Sequence, residues 1–443
     1  MTPWLSLFYK NNFRAKTIKK RKERGRGLFK QFLFKIKEGT WFIPAVYTLV
    51  ALILAIGVVY VDYYLNEFYP EIFLVGLDLG KTILGTIAGS LLTMTTITFS
   101  TTMVVLTTYS SQFSPRTLEN FIQDPVTMRV LGVFIGGFVY CIFTLLFIRE
   151  SFGNTVASAS IGIIIAFICL AFFAYFIYHV ATSIQVGKLI ERLADDALDV
   201  IKKEKERYEQ DDRVSLLQVR PSVVIEAKAV KARRFGYIQY IDEDMLMEHA
   251  AEQGSIIEVL KPIGHFVTEK HDLLCVHNQE EIPEGLEDAV IVGTERTTYS
   301  DVEFGLQKIA EVALRAVSPG INDPNTAIQC INYLSVCLSA ASHLNGEVKA
   351  ISDDEGRMKV IIPHRPFEDL LNTSFRQISY YAKDDFSVMQ AIFKALEEIG
   401  SGCGPAIRKT LDKFADYLKE QVETAALTKT EKDELYKVCL VEE

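Results

Sequence analysis

Charge is missing from four long stretches of this 443-residue chain, and motif-borne chemistry is missing from all of it. There is no P-loop, GxSxG, HExxH or dinucleotide fingerprint, so no enzyme is expected. The seven cysteines stand singly and form no CxxC pair; such thiols are expected to be reduced. After residue 185 no apolar run is long enough to cross a bilayer. Before it there are four, near 41–61, 83–109, 130–148 and 160–184, each of 19 or more residues without Asp, Glu, Lys or Arg. They predict four spanning helices. The absence of intramembrane carboxylates and lysines counts against a proton-driven pump. The absence of paired broken helices counts against a secondary transporter. His179 is the titratable imidazole within a span; it sits near the end and reads as interfacial.

Charge orients these spans. Residues 1–40 carry 12 Lys/Arg against Glu23 and Glu38. The first loop, 62–82, carries Asp62, Glu67, Glu71 and Asp78 against Lys81. The positive-inside rule then predicts a cell-membrane protein with both termini in the cytoplasm and the acidic loop outside. The arm has two readings, a topogenic signal alone or a partner for anionic lipid headgroups. A secretory signal is not expected, because the basic region is too long and no small-residue cleavage site follows the first apolar stretch. Residues 185–443 hold 31 Lys/Arg against 47 Asp/Glu, a net of −16 in a chain of −9 overall. A domain this acidic is not expected to bind nucleic acid.

The second span is unusual in what it does carry. From Thr86 to Thr108, 11 of 23 residues are Ser or Thr. At about 100° per residue, Thr86, Ser90, Thr93, Thr96, Ser100, Thr101, Thr107 and Thr108 fall on one side of the helix. Ile97 and Val104 interrupt that side. One interpretation is a close helix–helix seam, which the pair Gly85-x-x-x-Gly89 would fit. The other is a hydroxyl-lined pore lined by Thr86, Ser90, Thr93, Thr96, Ile97, Ser100, Thr101, Val104 and Thr107, with Ile97 and Val104 as apolar constrictions. Four helices rarely enclose a pore alone, so the second interpretation implies a homo-oligomer.

Beyond the fourth span the apolar spacing of Val186, Leu189, Ile190, Leu193, Ala197 and Leu198 predicts an amphipathic connecting helix within 185–220. Residues 221–294 read as a small β-rich module: strands in SVVIEAKAV, GYIQYI, SIIEVL, HFVTE and LLCVH, with a helix capped by Asp242. Gly264, Val267 and Leu273 stand where the barrel-sandwich hybrid modules of carrier and efflux-adaptor proteins close their small barrel. The resemblance implies a barrel-like scaffold; the carrier lysine is absent, so no attached cofactor is expected. His265, His271, Cys275 and His277 have metal-ligand chemistry but no standard spacing, and read as structural.

Residues 295–443 read as mainly helical around one β-hairpin, GEVKAISDDEGRMKVIIP. Ser300 and Glu303 predict a capping box. A turn at Ser318-Pro319-Gly320 ends that helix, and Asp323-Pro324 starts the next. Turn chemistry accounts for these residues; alternatively Arg315, Ser318, Gly320, Asn322 and Asp323 could hold an anionic ligand. The four spans, the Thr-rich second span leading into TYSSQFSPR, and the stretch GTERTTYSDVEFGLQKIAEVALRAVSPGINDPNTA together resemble the bacterial membrane family called domain of unknown function 2254. That resemblance implies an integral membrane protein and assigns no reaction. The expected fold is thus an α-helical bundle of four spanning helices, with a basic arm at 1–40 and spans within 41–184, plus a cytoplasmic α+β domain. Two functions follow: an oligomeric ion channel or passive pore regulated by that domain, or a membrane-anchored sensor or scaffold.

Overall fold

The computed structural model describes residues 42–64, 70–112, 116, 124–148, 155–183, 185–223, 226–278, 282 and 285–438. The basic arm of 1–40, Glu67 and residues 113–115 of the segment TYSSQFSPR lie outside them. Two compact units divide between Gln185 and Val186.

The first unit contains α1 (Phe42–Tyr64), α2 (Leu77–Gln112), α3 (Pro125–Phe147) and α4 (Ser158–Ser183). Each is long and apolar enough to cross a membrane. The third is the hub, packed against the other three, with Val130, Phe134, Tyr140 and Cys141 sealed from solvent. Glycine makes this possible. A Cβ at Gly132 or Gly136 would press on Pro44, Tyr47 and Ala51 of α1, and one at Gly137 would overlap Leu91 of α2 and crowd Cys169 of α4. Without a hydrophobic drive between helices in lipid, such backbone approach supplies the attraction. The small-residue seam of this chain is therefore Gly132-x-x-x-Gly136-Gly137. Gly85 and Gly89, which the sequence offered for that role, face open space.

Polar clasps close the bundle at both ends. At one, β1 (Val75–Gly76) pairs antiparallel with β2 (Thr155–Val156). There the buried carboxylate of Asp62 accepts the amides of Ala157 at 3.0 Å and Ser158 at 3.1 Å, capping α4 from a different helix. Tyr140 Oη donates to the Ser158 carbonyl at 2.9 Å. At the other end Asp124 caps α3, accepting from the amide and hydroxyl of Thr127 at 2.9 Å each. His179 Nε2 lies 2.9 Å from the same carboxylate, so this imidazole has a protein partner besides its interfacial position.

The second unit begins with α5 (Val186–Gln210), whose stripe Leu189, Ile190, Leu193, Ala194, Ala197 and Ile201 is buried while Lys and Glu line the opposite face. It is followed by β3 (Val214–Leu217), β4 (Ala227–Lys231), β5 (Gly236–Ile241), α6 (Glu243–Gln253), β6 (Ile256–Val259), β7 (Phe266–Val267), β8 (Asp272–His277) and β9 (Val290–Gly293). Next come α7 (Val302–Ala316), α8 (Pro324–Ala341), β10 (Val348–Ser352) and β11 (Met358–Pro363). The chain ends in α9 (Phe367–Leu371), a π-helical turn at Asn372–Arg376, α10 (Gln377–Tyr381), α11 (Phe386–Gly400), α12 (Pro405–Glu423) and α13 (Lys429–Val438).

Strands β4 to β8 overlap the stretches the alternation predicts, and Asp242 caps α6, whereas β3, within the segment expected as connecting helix, and β9 are strands the alternation did not mark. No closed barrel forms among the described residues. The sheet of six is open, in the order β3-β10-β11-β6-β8-β4, and a second sheet has the order β7-β5-β9. The edge of β6 that would close a small barrel pairs in parallel with β11, so the hairpin from residues 348–363 enters the same sheet. One detail of the carrier-like turn survives. Gly264, at φ 81°, donates to the Ile238 carbonyl at 2.8 Å, and the Ile238 amide donates to His265 at 3.0 Å. The helix expected to start at a Ser300–Glu303 capping box starts instead at Asp301, which accepts from the Phe304 amide at 3.0 Å. Glu303 does not fold back onto the helix start because Arg296, Arg365 and Thr373 hold its carboxylate.

Gly264 gives a direct check. A Cβ there would overlap the Asp301 carboxylate and the Arg296 guanidinium, in a left-handed backbone that alanine tolerates poorly. Gly264→Ala is expected to lower the stability of the second unit by about 1–3 kcal/mol, read as an earlier melting transition in the purified protein; an unchanged midpoint would refute the packing described.

Candidate functional site

The hydroxyl face of α2 points away from its own bundle. Leu84, Ala88, Leu91, Thr98 and Val105 are the buried positions of the helix. Of the candidate lining residues, Thr86, Ser90, Thr93, Thr96, Ile97, Ser100, Val104 and Thr107 are exposed and Thr101 is half-buried. The seam interpretation therefore does not apply within one chain. The hydroxyls are not left wanting. Thr86, Ser90, Thr93, Thr96 and Thr107 donate to the carbonyls of Thr82, Thr86, Gly89, Leu92 and Met103, each one turn back, at 2.8–3.1 Å. This back-bonding removes most of the cost of a hydroxyl in hydrocarbon and leaves the oxygen's remaining lone pairs outward. The face is thus small, closely approachable and rich in acceptors. Asp62, expected among the carboxylates of the outer loop, is consumed by its capping bonds and is 1% exposed, whereas Asp78 is exposed.

The turn between α7 and α8 brings together Arg315, Ser318, Gly320, Asn322 and Asp323, as the sequence spacing implies. Its polar atoms are engaged locally. Ser318 Oγ donates to the Arg315 carbonyl at 2.6 Å, and the Ser318 carbonyl accepts from Ile321 and Asn322 at 3.0 and 2.9 Å. Asp323 accepts from the Thr326 amide at 3.2 Å and hydroxyl at 2.6 Å. Asn322 takes the left-handed conformation at φ 51°, and Gly320 is exposed. His271 Nδ1 accepts from the Thr268 amide at 2.9 Å, and His277 Nε2 lies 3.2 Å from Glu258. Among the described residues no three His, Cys, Asp or Glu are arranged to hold a metal.

A second locus was not visible in the sequence. A cleft of about 90 Å³ lies where α5, α6, the β6–β7 loop, the start of α7 and the end of β11 meet. Ile201, Ile241, Ile263, Val302 and Leu344 supply apolar wall; Glu204, Glu243, Asp301, Glu303, Lys349, His364 and Arg365 supply charge. None of the residues 315–323 lines it. Lys349, almost fully buried, reaches Glu243 at 3.0 Å and Glu204 at 4.0 Å, and stands over the Tyr208 ring. Arg207 reaches Glu243 at 2.9 Å. Arg296 binds Asp301 through two nitrogens at 2.8 Å each and Glu303 at 2.9 Å, while Arg365 reaches Glu303 at 3.2 Å. Burial pulls the Glu204 carboxyl up, but His364, Lys349 and the Tyr208 hydroxyl more than offset this, so its net shift is below the usual carboxylate range. Contacts of this kind tie α5 and α6 to the sheet through Lys349, and tie the start of α7 to the segments that carry Arg296 and Arg365.

A four-span membrane bundle joined in sequence to an α+β unit with a charged internal cleft defines the class. The chain belongs to the family described as "Predicted membrane protein (DUF2254)", whose model matches residues 37–398. Uncharacterized proteins of Mycobacterium tuberculosis and Mycobacterium bovis are similar to it, each 28% identical over 332 residues that cover 72% of this chain and 63% of theirs. The chain thus spans less than two thirds of the length of these curated relatives. No solved structure matches it.

The cap on α4 can be checked by substitution. Asp62→Ala leaves the Ala157 and Ser158 amides without their acceptor in a buried place, and is expected to cost about 2 kcal/mol or more. Asp62→Asn, which keeps one acceptor oxygen, should cost less. Equal melting midpoints for the detergent-purified wild type and Asp62→Ala would contradict the capping role.

Proposed function

We propose that this protein is an oligomeric ion channel or passive pore of a cell membrane, with both termini in the cytoplasm, and that the α2 faces of several copies surround a shared axis. The observation that carries this proposal is the outward direction of the hydroxyl stripe. Eight of the nine candidate lining residues are exposed on the single bundle, although its small-residue seam is built elsewhere, on α3. A lipid-facing helix gains nothing from hydroxyls along its whole depth; a neighbouring copy or water does give them a use. In such an assembly the hydroxyl oxygens would replace part of an ion's hydration, and Ile97 and Val104 would close the path by dewetting. The net charge of −16 on residues 185–443 favours cations at the cytoplasmic mouth. The basic arm would lie on anionic headgroups. Regulation would follow from any ligand that binds the second unit better in one state than in the other. The second function, a membrane-anchored sensor or scaffold, draws on the cleft alone and needs no conduction.

Purified protein in planar bilayers distinguishes them. Currents are expected, reduced several-fold by Thr93→Leu and increased by Ile97→Ser. Ser90→Cys should cross-link between copies under mild oxidation. Absence of current, or current indifferent to both substitutions, removes the pore and leaves the anchored sensor.

A further inference from the structure

The cleft contains an imidazole whose two nitrogens both face acceptors. His364 follows β11. Its Nδ1 lies 3.2 Å from the Gly346 carbonyl, and its Nε2 lies 3.5 Å from Glu204 Oε1 on α5. A neutral imidazole has a single N–H and can serve only one of these acceptors; the imidazolium serves both. The charges around it are already matched. Glu204 and Glu243 stand against Lys349 and Arg207, and Asp301 and Glu303 against Arg296 and Arg365. Arginine and lysine do not titrate near neutrality, and the net effect on Glu204 is to keep it ionised there. Burial pushes the Asp301 carboxyl above its usual range against the pull of Arg296, but Asp301 does not contact Glu204; the imidazole that faces Glu204 is His364.

We propose that His364 is a proton-binding site and that its protonation clasps α5, the helix that begins three residues after the fourth span ends, onto the sheet through Glu204. This rests on the proposed regulation by the second unit only for its consequence, not for its existence. With His364 protonated, Glu204 is held by an imidazolium and an ammonium from the sheet side. With His364 neutral, the cation left on the sheet side is Lys349, which Glu243 shares at the shorter distance, and the single imidazole N–H must be divided between Glu204 and the Gly346 carbonyl. The clasp is tight below the histidine range and looser above it. In strong acid it fails for a second reason, when Glu204 takes a proton. Its depressed pKa places that loss below the ordinary carboxylate range, so the two transitions are separate. On the β6–β7 loop, burial, Lys261 and Arg365 hold His265 below the usual histidine range, which favours its neutral form. Asp369 of α9 is exposed, and Glu347 meets His364 through its backbone carbonyl. The Tyr208 phenol, pushed up by burial, stays protonated and adds a hydrogen bond to Glu204 at 3.4 Å.

Hydrogen–deuterium exchange of the full chain in detergent reads the clasp without any measurement of current. After correction for intrinsic exchange, peptides covering residues 198–210 are expected to lose protection several-fold between about pH 5.5 and about pH 8. In His364→Gln, which keeps a side-chain donor but cannot titrate, protection should not change with pH. Glu204→Gln should flatten the response in the same way, and it serves if His364→Gln fails to fold. His265→Gln should leave the response intact. Protection that is constant with pH in the wild type overturns the proposal, as does a response that persists in both His364→Gln and Glu204→Gln or disappears in His265→Gln. A protein that shows the clasp and passes no current would refute the pore and leave the proton site standing; the converse result would do the opposite.

Discussion

A hydroxyl inside a bilayer must find its acceptor within protein, and most of those on α2 find one a single turn back on the same helix. Everything outward about this molecule depends on that local bond. Because Thr86, Ser90, Thr93 and Thr96 close on their own backbone, α2 does not need the rest of the bundle to satisfy its polar face. The bundle can use the opposite, apolar face of the helix instead, through Leu84, Ala88 and Leu91. The hydroxyls are thereby left for whatever lies outside one chain. The same rule operates in stricter form at the bundle's ends, where Asp62 and Asp124 are buried carboxylates that cap helices and are consumed by amides, a hydroxyl and an imidazole.

The membrane half of the fold was legible because its signals are local and additive. Runs without charge mark the spans, and each falls on one of α1 to α4, with α2 extending several residues beyond its run. The partners were not legible. Gly85-x-x-x-Gly89 and Gly132-x-x-x-Gly136 have the same spacing, and only the neighbours decide which is a seam: Tyr47 and Ala51 lie against the second pair, and nothing lies against the first. Asp62 read as a loop charge because its partners are 95 and 96 residues away. In the second unit β4 to β8, the β10–β11 hairpin and several caps were readable from alternation and from Asp or Pro at helix starts, while β3 and β9 were not. The barrel was not, because sheet closure depends on which distant strand claims the edge of β6, and the claimant came from residues 358–363.

The charged cleft shows the same limit for function. Glu204 sits among the charged residues of an amphipathic helix and looks like part of a solvated face. Lys349 and His364 bracket a hairpin with no motif. The hairpin sets Lys349 opposite Ile362, two residues before His364; what nothing in the order along the chain shows is the docking of α5 that adds Glu204. The residues that did stand out, Arg315 to Asp323, stand out for turn and cap chemistry, and the structure employs them there. A compact sequence signature is thus a good guide to local geometry in this chain and a poor guide to where charge is buried.

The length of α2 has a mechanical side. Its 36 residues make a rod of about 54 Å, while α1 and α3, at 23 residues each, are about 34 Å long, close to the roughly 30 Å of a hydrocarbon slab. The surplus turns must stand in the headgroup layer or beyond it, or the rod must lean. Leaning and protruding are alternatives whose balance shifts with membrane thickness, so the lipid composition around this protein sets the angle at which its alcohol-bearing surface meets whatever adjoins it.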